Sequence, residues 1–142
     1  MLTRLEGTSI GASLLLSEVL AELPFDQQGL VAAVAQQFDI REVLMLAWMN
    51  RAAIDETLAS GFACYWSRSR QTLWRKGEPS GCRQRVIETR FDCDGDAVLL
   101  PVDQLGGACH TGRPSCFYNA VEGDRVVVIS APIQIPFHQN QK

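Results

Sequence analysis

Apolar residues at positions 1–28 fall near helical spacing, with Leu14, Leu15, Val19 and Leu23 on one side and Pro24 as a stop. This pattern predicts an amphipathic helical lead-in, peripheral to the rest. From Gly29 the texture changes to short apolar runs, Leu30 to Ala35 and Val43 to Trp48, separated by a turn over Gln37 to Arg41. The second run is apolar on both faces, as a buried strand would be. Asn50 then caps a short helix through Ser60, with Ile54 and Leu58 on one face and Gly61 as its stop. Beyond it, Phe62 to Ser67, Arg83 to Phe91, Ala97 to Val102, Ser115 to Val121 and Arg125 to Ile129 have strand length and are mostly bounded by Gly, Asp or Pro. The predicted fold is strand-dominated α+β, close to mainly β, a compact single domain with one or two short helices. Its expected organisation is a lead-in over 1–28, a domain over 29–130 and a loose tail over 131–142.

A chain of 142 residues supports one core and not two. Apolar residues at 46% and charged residues at 20% give the balance of a globular protein, not of a disordered or fibrous one. The net charge of -3 excludes a globally basic nucleic-acid binder and leaves room only for a local basic patch. The stretch Ile10 to Leu23 is interrupted by Ser13, Ser17, Glu18 and Glu22, so it cannot span a bilayer, and it lacks the layout of a signal peptide. A cytoplasmic location is expected. Five cysteines, an odd count without a secretory signal, point to thiols used in metal binding or chemistry.

Cys93, Cys109 and Cys116 form a C-x15-C-x6-C series. Three thiolates suit Zn2+ and leave a fourth tetrahedral position open for water, although the spacing alone fits three buried apolar cysteines about as well. Asp92, Asp94 and Asp96 alternate around Cys93, so an extended segment would put the carboxylates on one face and Cys93 on the other. Such a triple suits Mg2+ or forms an acidic turn in water; an EF-hand is excluded because its glycine and glutamate positions hold Ala97 and Asp103. Between Arg68 and Arg90 seven basic residues stand against two acidic ones. With Ser67, Ser69 and Ser80, and with Gly77 and Gly81 allowing close backbone approach, that strip is either a phosphate-binding loop or a solvated strand face. Trp66 reads as core. His110, next to Cys109, is the candidate general acid or base, the other histidine, His138, lying in the expected tail.

The stretches YWSRSRQTLWRKGEPSG (65–81), DCDGDA (92–97), GGACHTG (106–112) and SCFY (115–118), with VLMLAWMN (43–50), resemble the phosphoribosyl-AMP cyclohydrolase family. The resemblance runs from about Gly29 to Val121. It implies hydrolysis of the N1–C6 bond of the adenine ring of 1-(5-phosphoribosyl)-AMP, the third step of histidine biosynthesis. It further implies Zn2+ on Cys93, Cys109 and Cys116, Mg2+ on Asp92, Asp94 and Asp96, and an intertwined homodimer whose subunits share each zinc site. Elementary chemistry agrees. Ribosylation at N1 withdraws electron density, C6 becomes open to a zinc-activated water, and His110 moves a proton. Ser67, Arg68, Ser69, Arg70, Trp74, Arg75 and Lys76 are the expected substrate and phosphate contacts. One departure stands out. After GEPSG the family usually has a histidine, and this chain has Cys82. The change removes a group that could aid proton transfer or orient substrate, and it offers a fourth thiol that would close the zinc site.

Three other readings compete. A nucleobase deaminase would need an H-x-E and P-C-x-x-C signature, which is absent. A non-enzymatic zinc module on nucleic acid would need a closed four-ligand site, against which the acidic balance and missing CxxC pairs weigh. A degenerate family member would bind metal but turn over slowly because of Cys82. Members of the family are sometimes joined to a phosphoribosyl-ATP pyrophosphohydrolase domain, and the residues after Val121 are too few to hold one, so one reaction step is expected.

Overall fold

In β1 (Val31–Gln37) every second residue, Val31, Ala33 and Ala35, is buried, the period of a strand with one face on the core. The structure, a computed structural model, describes residues 2–133. Numbering strands along the chain, β1 pairs antiparallel with β2 (Val43–Met49) and parallel with β7 (Ala97–Gln104). On its other side β7 meets β5 (Gln84–Val86) and β6 (Arg90–Phe91), completing a five-stranded sheet. The fold is thus strand-dominated with two short α-helices, as the periodicity predicts.

β5 and β6 correct the expected single strand Arg83 to Phe91. The backbone N–H groups of Ile87 and Glu88 both donate to the Pro101 carbonyl, at 2.8 and 3.4 Å. Pro101 has no N–H to return, so the ladder breaks there and resumes one residue out of register. β2 also differs from expectation. It is an edge strand whose Leu44, Met45, Ala47 and Met49 are buried, while Val43 and Leu46 remain 41% and 49% exposed.

The helix α2 (Arg51–Ser60) starts where Asn50 Oδ1 accepts from the Ala53 N–H at 2.8 Å and ends at Gly61, which takes φ 79. Its inner face is Ala53, Ile54 and Thr57, with Leu58 at the surface. Thr57 Oγ1 accepts from the Cys64 N–H at 2.9 Å and donates to its carbonyl at 3.2 Å, anchoring β3 (Cys64–Ser67) beneath the helix. β3 turns through Arg68 to Gln71 into β4 (Thr72–Arg75), a strand the sequence pattern does not predict. Tyr65, fully buried on β3, donates through its hydroxyl to Gln84 Oε1 at 2.6 Å. Gln84 Nε2 donates to Gln104 Oε1 at 2.9 Å, and Gln104 Nε2 donates to the Cys82 carbonyl at 3.0 Å. Burial pushes the Tyr65 phenol above its ordinary value of 10.

The amino-terminal segment is less helical than its spacing suggests. A 3-10 turn (Leu2–Leu5) and α1 (Leu16–Ala21) flank Gly7 and Gly11, whose φ values of 74 and 97 interrupt the helix. Nor is the segment peripheral, because Val19, Leu20 and Leu23 are buried in the main core cluster. The last two strands, β8 (Asn119–Glu122) and β9 (Arg125–Val128), form a separate hairpin. β8 begins later than expected because Ser115 and Cys116 are bound to β2. Of the expected loose tail only Ala131 to Ile133 is described, and His138 lies outside the described residues. Among the described residues no helix is long and apolar enough to cross a membrane.

Candidate functional site

After β7 the chain from Leu105 to Phe117 forms no regular element, yet its backbone is held closely. A Cβ on Gly107 would lie 2.7 Å from the carbonyl oxygens of Arg113 and Gly112, so the loop closes only over a glycine. The Ala108 N–H donates to the Pro114 carbonyl at 3.3 Å, Cys109 N–H to Arg113 at 3.2 Å, and Gly112 N–H back to Cys109 at 2.9 Å. The far end is fixed to β2, where Cys116 N–H donates to the Leu44 carbonyl at 2.7 Å and Ser115 Oγ to the Val43 carbonyl at 2.8 Å. These bonds set the Cys109 and Cys116 thiols close enough for each to act on the other's ionisation.

Partial burial works against ionising Cys109. Against it, the Thr111 hydroxyl donating at 3.1 Å, the Thr111 N–H, the Cys116 thiol and the Arg113 guanidinium bring that thiol below its ordinary value of 9.0. Cys116, exposed as a whole residue, has its thiol pushed up to about 11 by partial burial of the sulfur and by the neighbouring Cys109 charge. Cys109 therefore ionises first. A cation placed between the two sulfurs would displace the remaining proton.

Lys76 reaches this loop from the end of β4. It is only 8% exposed, and its Nζ donates to the Ala108 carbonyl at 2.7 Å and lies 5.6 Å from the Trp74 ring centre. Burial pushes its ammonium down from 10.5, and the sulfurs of Cys116, Cys82 and Cys109 hold it partly up. The side chain thus points inward, away from solvent. Cys82 is buried nearby at 7% exposure, on a turn that requires Gly77, since a Cβ there would meet the Arg83 nitrogen at 2.5 Å.

The remaining basic and aromatic candidates sit on the β3–β4 hairpin. Arg68, Ser69 and Arg70 form its exposed tip, and the Arg68 guanidinium stacks 4.7 Å over Trp48 of β2. A groove of about 560 Å³ opens beside it, lined by Leu46, Trp48, Trp66, Ser67, Arg68 and Trp74 among others. Trp66 is therefore a half-buried groove residue and not core, the buried aromatic of this strand being Tyr65. Arg75 pairs with Glu56 at 3.4 Å.

Asp92, Asp94 and Asp96 converge, with carboxylate oxygens within 4.8 Å of one another and all three exposed. They do so through a turn with Gly95 at φ 82, not along the extended segment expected. Slight burial opposes ionisation of Asp92, but hydrogen bonds with Asp96 and Asp94 and from the N–H groups of Gly95 (2.8 Å) and Ala97 (3.3 Å) hold its carboxyl below the usual range. Hydrogen bonding to Asp92 and Asp94 pushes Asp96 up to about 6. Among the described residues this is the only group of three or more His, Cys, Asp or Glu ligand atoms so close together. Cys93, exposed on the same turn, therefore does not join Cys109 and Cys116 within one chain. His110 is exposed beside Cys109. Sequence reasoning missed Trp48, Thr111 and Arg113; Thr111 and Arg113 flank the cysteine motif and could have been read as thiolate partners.

Residues 45–118 match the family described as phosphoribosyl-AMP cyclohydrolase. The chain belongs to the phosphoribosyl-AMP cyclohydrolase family. It is an enzyme of that family, and curated relatives resemble it over most of its length. The phosphoribosyl-AMP cyclohydrolase 2 of Pseudomonas fluorescens is 63% identical over 136 residues, covering 96% of this chain and 92% of the relative. The phosphoribosyl-AMP cyclohydrolase of Alkalilimnicola ehrlichii is 63% identical over 117 residues, 82% of each chain. That of Halorhodospira halophila is 64% identical over 116 residues, again 82% of each. The stretch matching the family takes in β2 from Met45 onward, the β3–β4 hairpin, the aspartate turn and the cysteine loop, so every candidate site residue lies in it.

Proposed function

We propose that the chain opens the adenine ring of 1-(5-phosphoribosyl)-AMP at N1–C6, giving the phosphoribosyl-formimino aminoimidazole carboxamide ribotide of histidine biosynthesis. The observation that carries this is the Cys109–Cys116 thiol pair, set in a preorganised loop beside a basic, tryptophan-lined hairpin. Two adjacent thiols with one readily ionised fit zinc, and three gathered carboxylates fit magnesium. Cys109 and Cys116 would hold the zinc with Cys93 of a second copy, and Asp92, Asp94 and Asp96 the magnesium. When bound, zinc supplies Lewis-acid activation of water near neutral pH, and magnesium supplies charge for phosphate.

The protein's own groups do the rest. Arg68 and Arg70, with Ser67 and Ser69, grip phosphate at the hairpin tip, while Trp74 offers a face to the base and Arg75 adds positive charge. As the water oxygen bonds to C6 the N1–C6 bond breaks, and His110 carries a proton to N1 or from the water. A cytoplasmic homodimer is part of this reading. The β8–β9 hairpin exposes Val121 (78%), Val126 (68%) and Val128 (57%), and an isolated two-stranded hairpin is marginal in water. Together with the open Val43 and Leu46 of β2, that surface supports a second copy as its cover.

The test is ring opening of phosphoribosyl-AMP followed by ultraviolet absorbance, with zinc-loaded protein, Mg2+ and a Cys109→Ser control. Turnover by the parent that falls to background in the control, or on chelation, is expected. A zinc-loaded, dimeric parent without turnover would defeat the reading and favour a degenerate member, making Cys82→His the next variant.

A further inference from the structure

Resting on the zinc reading above, we propose that Lys76 is a positioning residue for the Cys109–Cys116 pair, bolting their loop to the substrate hairpin and countering their charge, and not a phosphate ligand. The side chain is nine-tenths removed from solvent, and among the described residues no carboxylate forms an ion pair with it. An ammonium buried without a counter-charge is costly, so what surrounds it defines its purpose. Here the surroundings are the Ala108 carbonyl at 2.7 Å, the Trp74 ring at 5.6 Å, and the sulfurs of Cys116, Cys82 and Cys109 close enough to act on its charge.

The connectivity gives this placement a mechanical result. The Lys76 N–H donates to the Ala63 carbonyl at 3.1 Å, beside β3, while its Nζ holds the residue that precedes Cys109. One residue therefore fixes the spacing between the hairpin that would receive substrate and the loop that would hold metal. Its charge also compensates two thiolates drawn together, which otherwise repel. A phosphate ligand would need its donors turned to solvent, whereas this one is already engaged with a buried carbonyl.

The experiment measures zinc affinity by chelator competition, and the cobalt–thiolate charge-transfer band of the Co2+-substituted protein, for wild type, Cys109→Ser, Lys76→Met and Lys76→Arg. Lys76→Met keeps the stem and removes the charge and donor. It is expected to bind zinc about 10- to 100-fold more weakly with a shifted cobalt band, and Lys76→Arg to recover most of the loss. A folded Lys76→Met with wild-type zinc affinity and an unshifted band overturns the proposal, as does a raised KM at unchanged zinc affinity. If Lys76→Met does not fold, Lys76→Arg against Lys76→Gln decides, and equal zinc affinity in the two overturns it. Wild type that binds zinc no better than Cys109→Ser would instead sink the zinc reading, and this proposal with it.

Discussion

The loop from Leu105 to Phe117 spends its polar atoms on internal bonds, whereas the turn from Asp92 to Asp96 holds three carboxylates in the open. In the first, two sulfurs are set side by side by backbone bonds, and a hydroxyl, a guanidinium and a buried ammonium supply positive potential. In the second, like charges face one another with only protons and backbone N–H groups between them. The contrast teaches that the protein favours one thiolate, Cys109, through fixed donors while the Cys116 thiol stays protonated beside it, whereas the exposed carboxylates meet mainly one another. A site built the first way loses function when its frame is disturbed; one built the second way gains stability when its charge is removed.

The largest expected effect is at the frame. Gly107→Val puts atoms where the Arg113 and Gly112 carbonyls lie, and is expected to cost about 3 kcal/mol in chemical denaturation and to abolish zinc retention. Next, Tyr65→Phe strands the buried Gln84 oxygen and is expected to cost about 1–2 kcal/mol. Because burial raises the Tyr65 phenol, its contribution is full below pH 10 and is lost as pH rises beyond it. Denaturation at alkaline pH is expected to show that slope in wild type and less of it in Tyr65→Phe. Thr111→Val then tests the thiolate side alone, since losing the hydroxyl at 3.1 Å is expected to raise the Cys109 titration midpoint, read by thiolate absorbance near 240 nm.

The smallest effect concerns the open turn. With Asp96 raised to about 6, the folded state keeps a proton that the unfolded chain releases near 3.8, so between those values stability falls as pH rises. Asp96→Asn is expected to remove that slope and to lift the denaturation midpoint slightly above pH 6 in chelator. With Mg2+ the ranking is expected to invert, wild type gaining and the variant not. A midpoint in chelator that drops in Asp96→Asn would break the contrast between the two loops.

Much of the architecture was legible because its signals are local. The α2 helix is written in Asn50 and Gly61, and β1 and β7 in their apolar runs. β4 escaped because Thr72, Trp74 and Arg75 are exposed, and only pairing with β3 makes them a strand. The split of β5 from β6 depends on Pro101, ten residues beyond Phe91 and across a turn, which no window over Arg83 to Phe91 contains. The amino-terminal helix was overread because glycines at positive φ outweighed leucine spacing. At the site, residue types were legible and their directions were not. Lys76 looks like one more cation in a basic strip, and only the course of the chain at the end of β4 turns it inward. The failure of Cys93 to meet Cys109 and Cys116 within one chain is likewise invisible in a spacing.

The Arg113 guanidinium that favours the Cys109 thiolate is held in place from downstream. Its Nε donates to the Ser130 carbonyl at 2.7 Å, its guanidinium lies 4.0 Å over the Tyr118 ring, and the Ile133 N–H returns to the Gly112 carbonyl at 2.9 Å. The β8–β9 hairpin is therefore a closed loop of chain with both its feet planted on the cysteine segment. Shortening the protein back to Val128 would do more than trim an end. It would release the clamp on a charged side chain, and a truncation far from the thiols along the chain would be felt as a change in their acidity.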